Sequence, residues 1–158
     1  MDAALALCER LCDIHYFRRV ILYASNRTGW LSRTLFGDRL SQLVYNIKIE
    51  QLETLDELFQ EDIGFWDMFA SGRTLGFESK VVPWLDFSTA GRVTASLSLL
   101  AHVVDNLDKR SDLSRDFILD AVCAPVCCRL KTLISLKRLQ GLMQDQLDSR
   151  DSVMEEVD

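Results

Sequence analysis

Five cysteines, two histidines and the pair Gly91-Arg92 are the residues of this 158-residue sequence whose types and spacing could do chemistry. Cys8 and Cys12 lie one helical turn apart, as do Cys123 and Cys127, and His15 follows Cys12 by another turn. On two adjacent helices such groups could clasp zinc. Structural zinc sites usually have tighter, turn-supported spacings, and cysteine is among the most buried residue types, so packing is the favoured reading and no metal is expected. A cysteine-based structural metal-binding protein with an unrelated helical scaffold role remains the alternative function. Catalysis finds less support. His102 lies in an apolar run and reads as a core or boundary histidine. There is no Gly-x-Ser-x-Gly elbow, and SGRTLG (71–76) lacks the Gly-Lys-Ser/Thr end of a phosphate loop. Neither an enzyme nor a cofactor is expected.

Gly91-Arg92 is more informative. The pair opens an apolar stretch, with Thr89, or Ser88, as a natural N-cap. Glycine in a first turn costs up to about 1 kcal/mol against alanine, and arginine there opposes the helix dipole. One reading is an ordinary turn glycine beside a surface arginine. The other is a recognition edge, where the missing side chain admits a partner helix and the guanidinium pairs with its carboxylate. Val82, Leu85 and Phe87 upstream would add apolar pockets, and Val93 and Thr94 downstream would complete a groove that takes a helix by an anchor row and one charge pair.

The elements that must position this edge are helical. Leu5, Leu11, Ile14, Phe17 and Ile21 predict one amphipathic helix from Asp2, which can cap it, to about Ser25, ended by SNRTG. WLSRTLF (30–36) forms a short helical turn stopped by Gly37. Asp38 caps a run to about Phe59, its apolar face set against the glutamates and Lys48. Short helical pieces and loops fill 61–76, and a short helix near Pro83 fills 77–87. Residues 90–104, apolar on nearly every side, belong at the centre of a bundle. NLDKRSD (106–112) reads as a connection, and Ser111 or Asp112 caps a helix that Pro125 interrupts. A last amphipathic helix covers about 126–144. The expected fold is all-α, one domain over 1–144. Residues 145–158, with six carboxylates and one arginine, are expected as a disordered acidic tail.

Composition excludes several classes. A net charge of −6 is unfavourable for nucleic acid, whose binding rests on neutralising phosphates. No run approaches the roughly 20 apolar residues that span a bilayer, so membrane association is expected only indirectly, and no secretory signal is visible. The odd cysteine count then favours reduced thiols.

Three blocks carry a family resemblance: LVYNIK (43–48), LDFSTAGR (85–92) and DAVCAPVCCRL (120–130). In this order and spacing they resemble the small T antigens of adenoviral early region 1B, over roughly residues 13–140. That family is viewed as Bcl-2-like, and its resemblance implies a Bcl-2-like bundle around the helix at about 90–104. Bcl-2 proteins open their central helix with Asn-Trp-Gly-Arg. Here Thr89-Ala90-Gly91-Arg92 stands there, keeping Gly and Arg. The resemblance implies that Arg92 pairs with the aspartate of a BH3 helix. It also implies a viral inhibitor of host-cell apoptosis that sequesters Bax-type, Bak-type and BH3-only proteins. The implied location is host cytoplasm, with nuclear-envelope, mitochondrial or other intracellular membranes. Leu35-Phe36-Gly37-Asp38 keeps a BH3-like Gly-Asp pair, but Arg33 replaces the leucine, so it reads as a chance match.

Overall fold

The structure, a computed structural model, describes residues 2–155. It is all-α: α1 (Ala3–Leu11), α2 (Ile14–Ala24), α3 (Trp30–Phe36), α4 (Arg39–Glu50), α5 (Leu52–Glu61), α6 (Ile63–Ala70), α7 (Phe77–Lys80), α8 (Ala90–Arg110) and α9 (Arg115–Glu155), with a 3₁₀ turn at Val82–Trp84. α8 is the axis. It packs against α1, α2, α4, α5, α6 and α9, and Val93, Leu97, Leu100, Ala101, Val103, Val104 and Leu107 are buried along it. A helix with buried residues on so many sides has no stable place except inside a bundle.

Local chemistry explains most boundaries. The carboxylates of Asp2 and Asp38 cap α1 and α4 as expected, accepting from the N–H groups of Ala4 and Ser41 at 2.9 Å each. The single helix expected over 2–25 is two. Asp13 accepts from the N–H groups of His15 and Tyr16 and starts α2 afresh. Likewise, the run expected to Phe59 breaks at Gln51, where φ −102° and ψ 13° leave the helical region.

Other corrections lie near the C-terminus. Residues 106–110 are not a connection but the last turn of α8, because Leu107 extends its buried face. Lys109 and Arg110 there complement the helix dipole. Pro125 does not end a helix. It lies inside the 41-residue α9, where burial of Val122, Cys123, Val126 and Leu130 around it outweighs the roughly 3 kcal/mol an interior proline costs. Nor does α9 stop near 144. Residues 145–155, expected as a disordered tail, continue it as helix; no glycine or proline follows Gly141, and Gln144 Nε2 donates to Asp148 Oδ1 one turn on. Residues 156–158 lie outside the described residues.

A polar network lies under the 25–29 turn. Lys48, placed on a solvent-facing side by its pattern, is wholly buried. Its Nζ donates to Asp105 Oδ2 at 2.6 Å and to Asn26 Oδ1 at 2.8 Å, while Asp105 Oδ1 accepts from the Asn26 N–H at 2.7 Å. Arg33 is also buried. It donates to the carbonyls of Tyr23, Ser25 and Thr28 and stacks over Tyr45. This work in the fold explains why an arginine stands where a BH3 leucine would be.

Tyr16 joins α2 to the cap of α4. Its hydroxyl donates to Asp38 Oδ2 at 2.6 Å and accepts from Arg10 at 2.7 Å. Partial burial, then the bond to the Asp38 carboxylate, push the phenol up to about 12. An unfolded tyrosine ionises near 10, so between roughly pH 10 and 12 the folded state holds the extra proton. The resulting stabilisation is complete below pH 10 and lost progressively to pH 12. Tyrosinate absorbance should show a phenol titrating at about pH 12 in the folded protein, and Tyr16→Phe should remove that phase.

Candidate functional site

The loop before α8 and its first turns build the site. Thr89 Oγ1 accepts from the Arg92 N–H at 3.2 Å, so the expected cap is present. The loop is pinned to the helix by Ser96, whose hydroxyl accepts from the Asp86 N–H at 2.9 Å and donates to the Asp86 carbonyl at 3.1 Å. Gly91 is exposed, and a Cβ built on it meets nothing within 4 Å. Gly91, Ala95 and Leu99 recur every fourth residue and form one stripe along α8, with Ala95 exposed and Leu99 half-buried. Ile47 of α4, Leu55 and Leu58 of α5, and Trp84 wall this stripe into an open groove of about 460 Å³.

Arg92 stands at the end of that groove with its side chain 64% exposed. It is not free in the unliganded protein. One guanidinium nitrogen donates to Asp86 Oδ2 at 2.9 Å and to Ser88 Oγ at 3.3 Å. Hydrogen bonds from the Ser88 hydroxyl and N–H, with the Arg92 charge, hold the Asp86 carboxyl below its ordinary range. The carboxylate stays ionised and available to Arg92 throughout the neutral range. Both partners face water, so an incoming carboxylate can exchange for Asp86 at little cost.

The structure does not bring all the expected groove residues together. Gly91 and Arg92 line the α4–α5–α8 groove. Val82, Leu85 and Phe87 line a second cavity of about 550 Å³ between α1, the loop and α9, beside Leu5, Leu133 and Ile134. Trp84 and Asp86 line both cavities, so the two adjoin across this segment, and Val82, Leu85 and Phe87 face only the one away from Gly91. Val93 and Thr94 are buried in the bundle: Val93 is in the core, and the Thr94 hydroxyl donates to the Ala90 and Gly91 carbonyls. Reading by sequence missed Asp86, Ala95, Leu99 and the α5 wall. The small–small–leucine repeat at 91, 95 and 99 was the available signal.

The cysteine pairs do not form a metal centre. No cluster of three or more His, Cys, Asp or Glu side chains suited to a metal occurs among the described residues. The Cys127 thiol donates to the Cys12 carbonyl at 3.1 Å, the Cys8 thiol faces the Phe87 carbonyl, and burial pushes the Cys123 thiol far up. The Cys8, Cys123 and Cys127 thiols are packed in the core as small apolar side chains. His102 is buried, with Nε2 3.0 Å from Asp56 and 2.9 Å from the Asn106 amide, and burial holds its pKa below the ordinary value.

Residues 1–139 match the family described as adenovirus E1B 19K protein / small t-antigen. Among curated relatives, the small T-antigen of simian adenovirus serotype 7 is 33% identical over 105 residues, which cover 66% of this chain and 58% of that protein. The human adenovirus F serotype 40 small T-antigen is 28% identical over 140 residues, 89% of this chain and 82% of the relative. The canine adenovirus serotype 1 small T-antigen is 28% identical over 148 residues, 93% and 88% of the two chains. No solved structure matches the chain.

Proposed function

The chain belongs to the adenovirus E1B 19K protein / small t-antigen family, and from that premise we propose that it inhibits host-cell apoptosis by sequestering pro-apoptotic Bcl-2 proteins. Bax-type, Bak-type and BH3-only proteins would each present a BH3 helix to the α4–α5–α8 groove. The observation that carries this reading is the pairing of an open Gly91 with an exposed, weakly committed Arg92 at the end of an apolar stripe. A helix laid on Gly91, Ala95 and Leu99 buries its apolar row against Leu55, Leu58 and Ile47, and its aspartate replaces Asp86 on Arg92. On this reading the bundle is used in the Bcl-2 manner. Sequestration is stoichiometric and needs no catalytic group. The protein acts in host cytoplasm and reaches nuclear-envelope or mitochondrial membranes through its partners; no helix among the described residues is long and apolar enough to cross a membrane.

Titration of a fluorescent Bak-type BH3 peptide tests this reading. Arg92→Ala should weaken binding by about 1.5–3 kcal/mol, roughly 10- to 150-fold, the worth of a hydrogen bond to a charged group. Asp86→Asn should leave binding equal or tighter, because it removes the internal competitor. Full affinity in Arg92→Ala, with helix content unchanged, would refute the role given to the guanidinium.

A further inference from the structure

The second cavity, between α1, the 82–88 segment and α9, has no part in the groove's work. Its walls are mostly apolar: Leu5, Val82, Leu85, Phe87, Leu133 and Ile134 face a space of about 550 Å³. Pockets that take small ligands hold roughly 300–1,000 Å³ and have such walls, with a few polar groups to orient the ligand. Side chains that face a gap forfeit the dispersion contacts that packing supplies elsewhere, and water in the gap gains nothing from them. An apolar body seated there restores those contacts.

Charge selects the rest of the occupant. Three charged residues line the cavity: Asp86, Arg129 and Lys137. Asp86 is held by Arg92 at 2.9 Å and by the Ser88 hydroxyl at 2.6 Å. Lys137 has Asp2 at 3.8 Å. Arg129 is exposed and makes no ion pair among the described residues; those of α9 are made by Asp116, Asp120, Lys137 and Arg138. The lining therefore presents one unbalanced cation. We infer that the cavity binds a small amphiphile with an apolar body and a single carboxylate, of which a fatty acid is the simplest kind. The carboxylate accepts two parallel hydrogen bonds from the Arg129 guanidinium. Arg129, Leu133 and Lys137 recur every fourth residue along one side of α9. From Arg129 the apolar body runs over Leu133 towards Lys137, roughly 12 Å along the helix, against the walls made by Leu5, Val82 and Phe87. Lys137 lays its methylene stem along that body and keeps its ammonium group at Asp2. A phosphate monoester fits less well, because one guanidinium leaves its second charge unmatched. A cationic amphiphile meets Arg129 as a like charge. The groove residues Gly91, Ala95 and Leu99 are not among the walls of this cavity, whereas Trp84 is, half-exposed, and can report its filling.

Calorimetric titration of the full chain with dodecanoate, kept below its micelle concentration, is the test. One equivalent should bind. Dodecanol should bind at least about tenfold more weakly, and Arg129→Gln should lower dodecanoate affinity about 10- to 100-fold while leaving dodecanol unchanged. Lys137→Gln should have a much smaller effect than Arg129→Gln, because Lys137 already has a partner. Leu133→Trp should fill the cavity and prevent binding with helical circular dichroism unchanged, since Leu133 is only half-buried. A dodecanoate brominated at its tail end should quench tryptophan fluorescence, and Trp84→Phe should remove that quenching. Gly91→Glu, which closes the groove, should leave dodecanoate binding intact. No saturable binding, or equal binding of dodecanol and dodecanoate, would overturn the inference. So would a preference for dodecyl phosphate, or full dodecanoate affinity in Arg129→Gln. Loss of dodecanoate binding in Gly91→Glu would also overturn it, by placing the amphiphile in the helix groove.

Discussion

Lys48→Met should lower the unfolding free energy by about 3–5 kcal/mol, the usual cost of removing one partner from a buried ion pair. The methionine fills the space but strands the Asp105 carboxylate, which is itself buried and keeps only the Asn26 N–H. The loss should reach three elements at once, because Lys48 is on α4, Asp105 on α8 and Asn26 in the turn after α2. Urea unfolding checks it through a lower midpoint with an unchanged slope. The double variant Lys48→Met/Asp105→Asn should recover most of the stability, since no charge is then buried alone and the asparagine oxygen still accepts from Asn26. A single variant as stable as the wild type would show that the pair does not hold α4 to α8.

Gly91→Glu should abolish BH3 binding, by on the order of 100-fold or more, without destabilising the fold. The two effects have separate causes. A side chain at 91 fills the place where a ligand helix must approach, and its carboxylate sits beside Arg92 and repels the ligand's aspartate; a like charge at such a contact costs several kcal/mol. In the free protein that side chain meets nothing. Glutamate also suits the first turn of a helix better than glycine, in propensity and toward the dipole. Thermal unfolding should therefore stay level or move upward while peptide titration loses its signal. Retained binding in Gly91→Glu would place the ligand elsewhere.

Features set by neighbours in sequence were legible, and those set by folding partners were not. The caps at Asp2, Asp38 and Thr89, the stop at Gly37 and the apolar axis of α8 depend on residues within a turn of one another. Lys48 looked solvent-facing because periodicity knows nothing of Asp105, 57 residues away. Pro125 and the 145–155 segment were misread for related reasons: packing overrode a local breaker in the first, and acidic composition was taken for disorder in a stretch that has no breaker. At the site, Gly91 and Arg92 were legible as an anomaly in an apolar helix. Asp86 was not, because a loop rather than a helical period brings it to Arg92. Val82, Leu85 and Phe87 were assigned to the same groove by proximity in sequence, but an extended segment turns neighbouring side chains to different sides, and these three face the adjoining cavity.

Two cavities therefore compete for a helical ligand, and amide NMR of the ¹⁵N-labelled protein with a BH3 peptide decides between them. The signals of Gly91, Ala95, Leu99, Leu55 and Leu58 should shift on titration, while those of Leu5, Leu85 and Leu133 stay in place. Shifts confined to Leu5, Leu85 and Leu133, with Gly91 and Ala95 unmoved, would contradict the assignment of the groove.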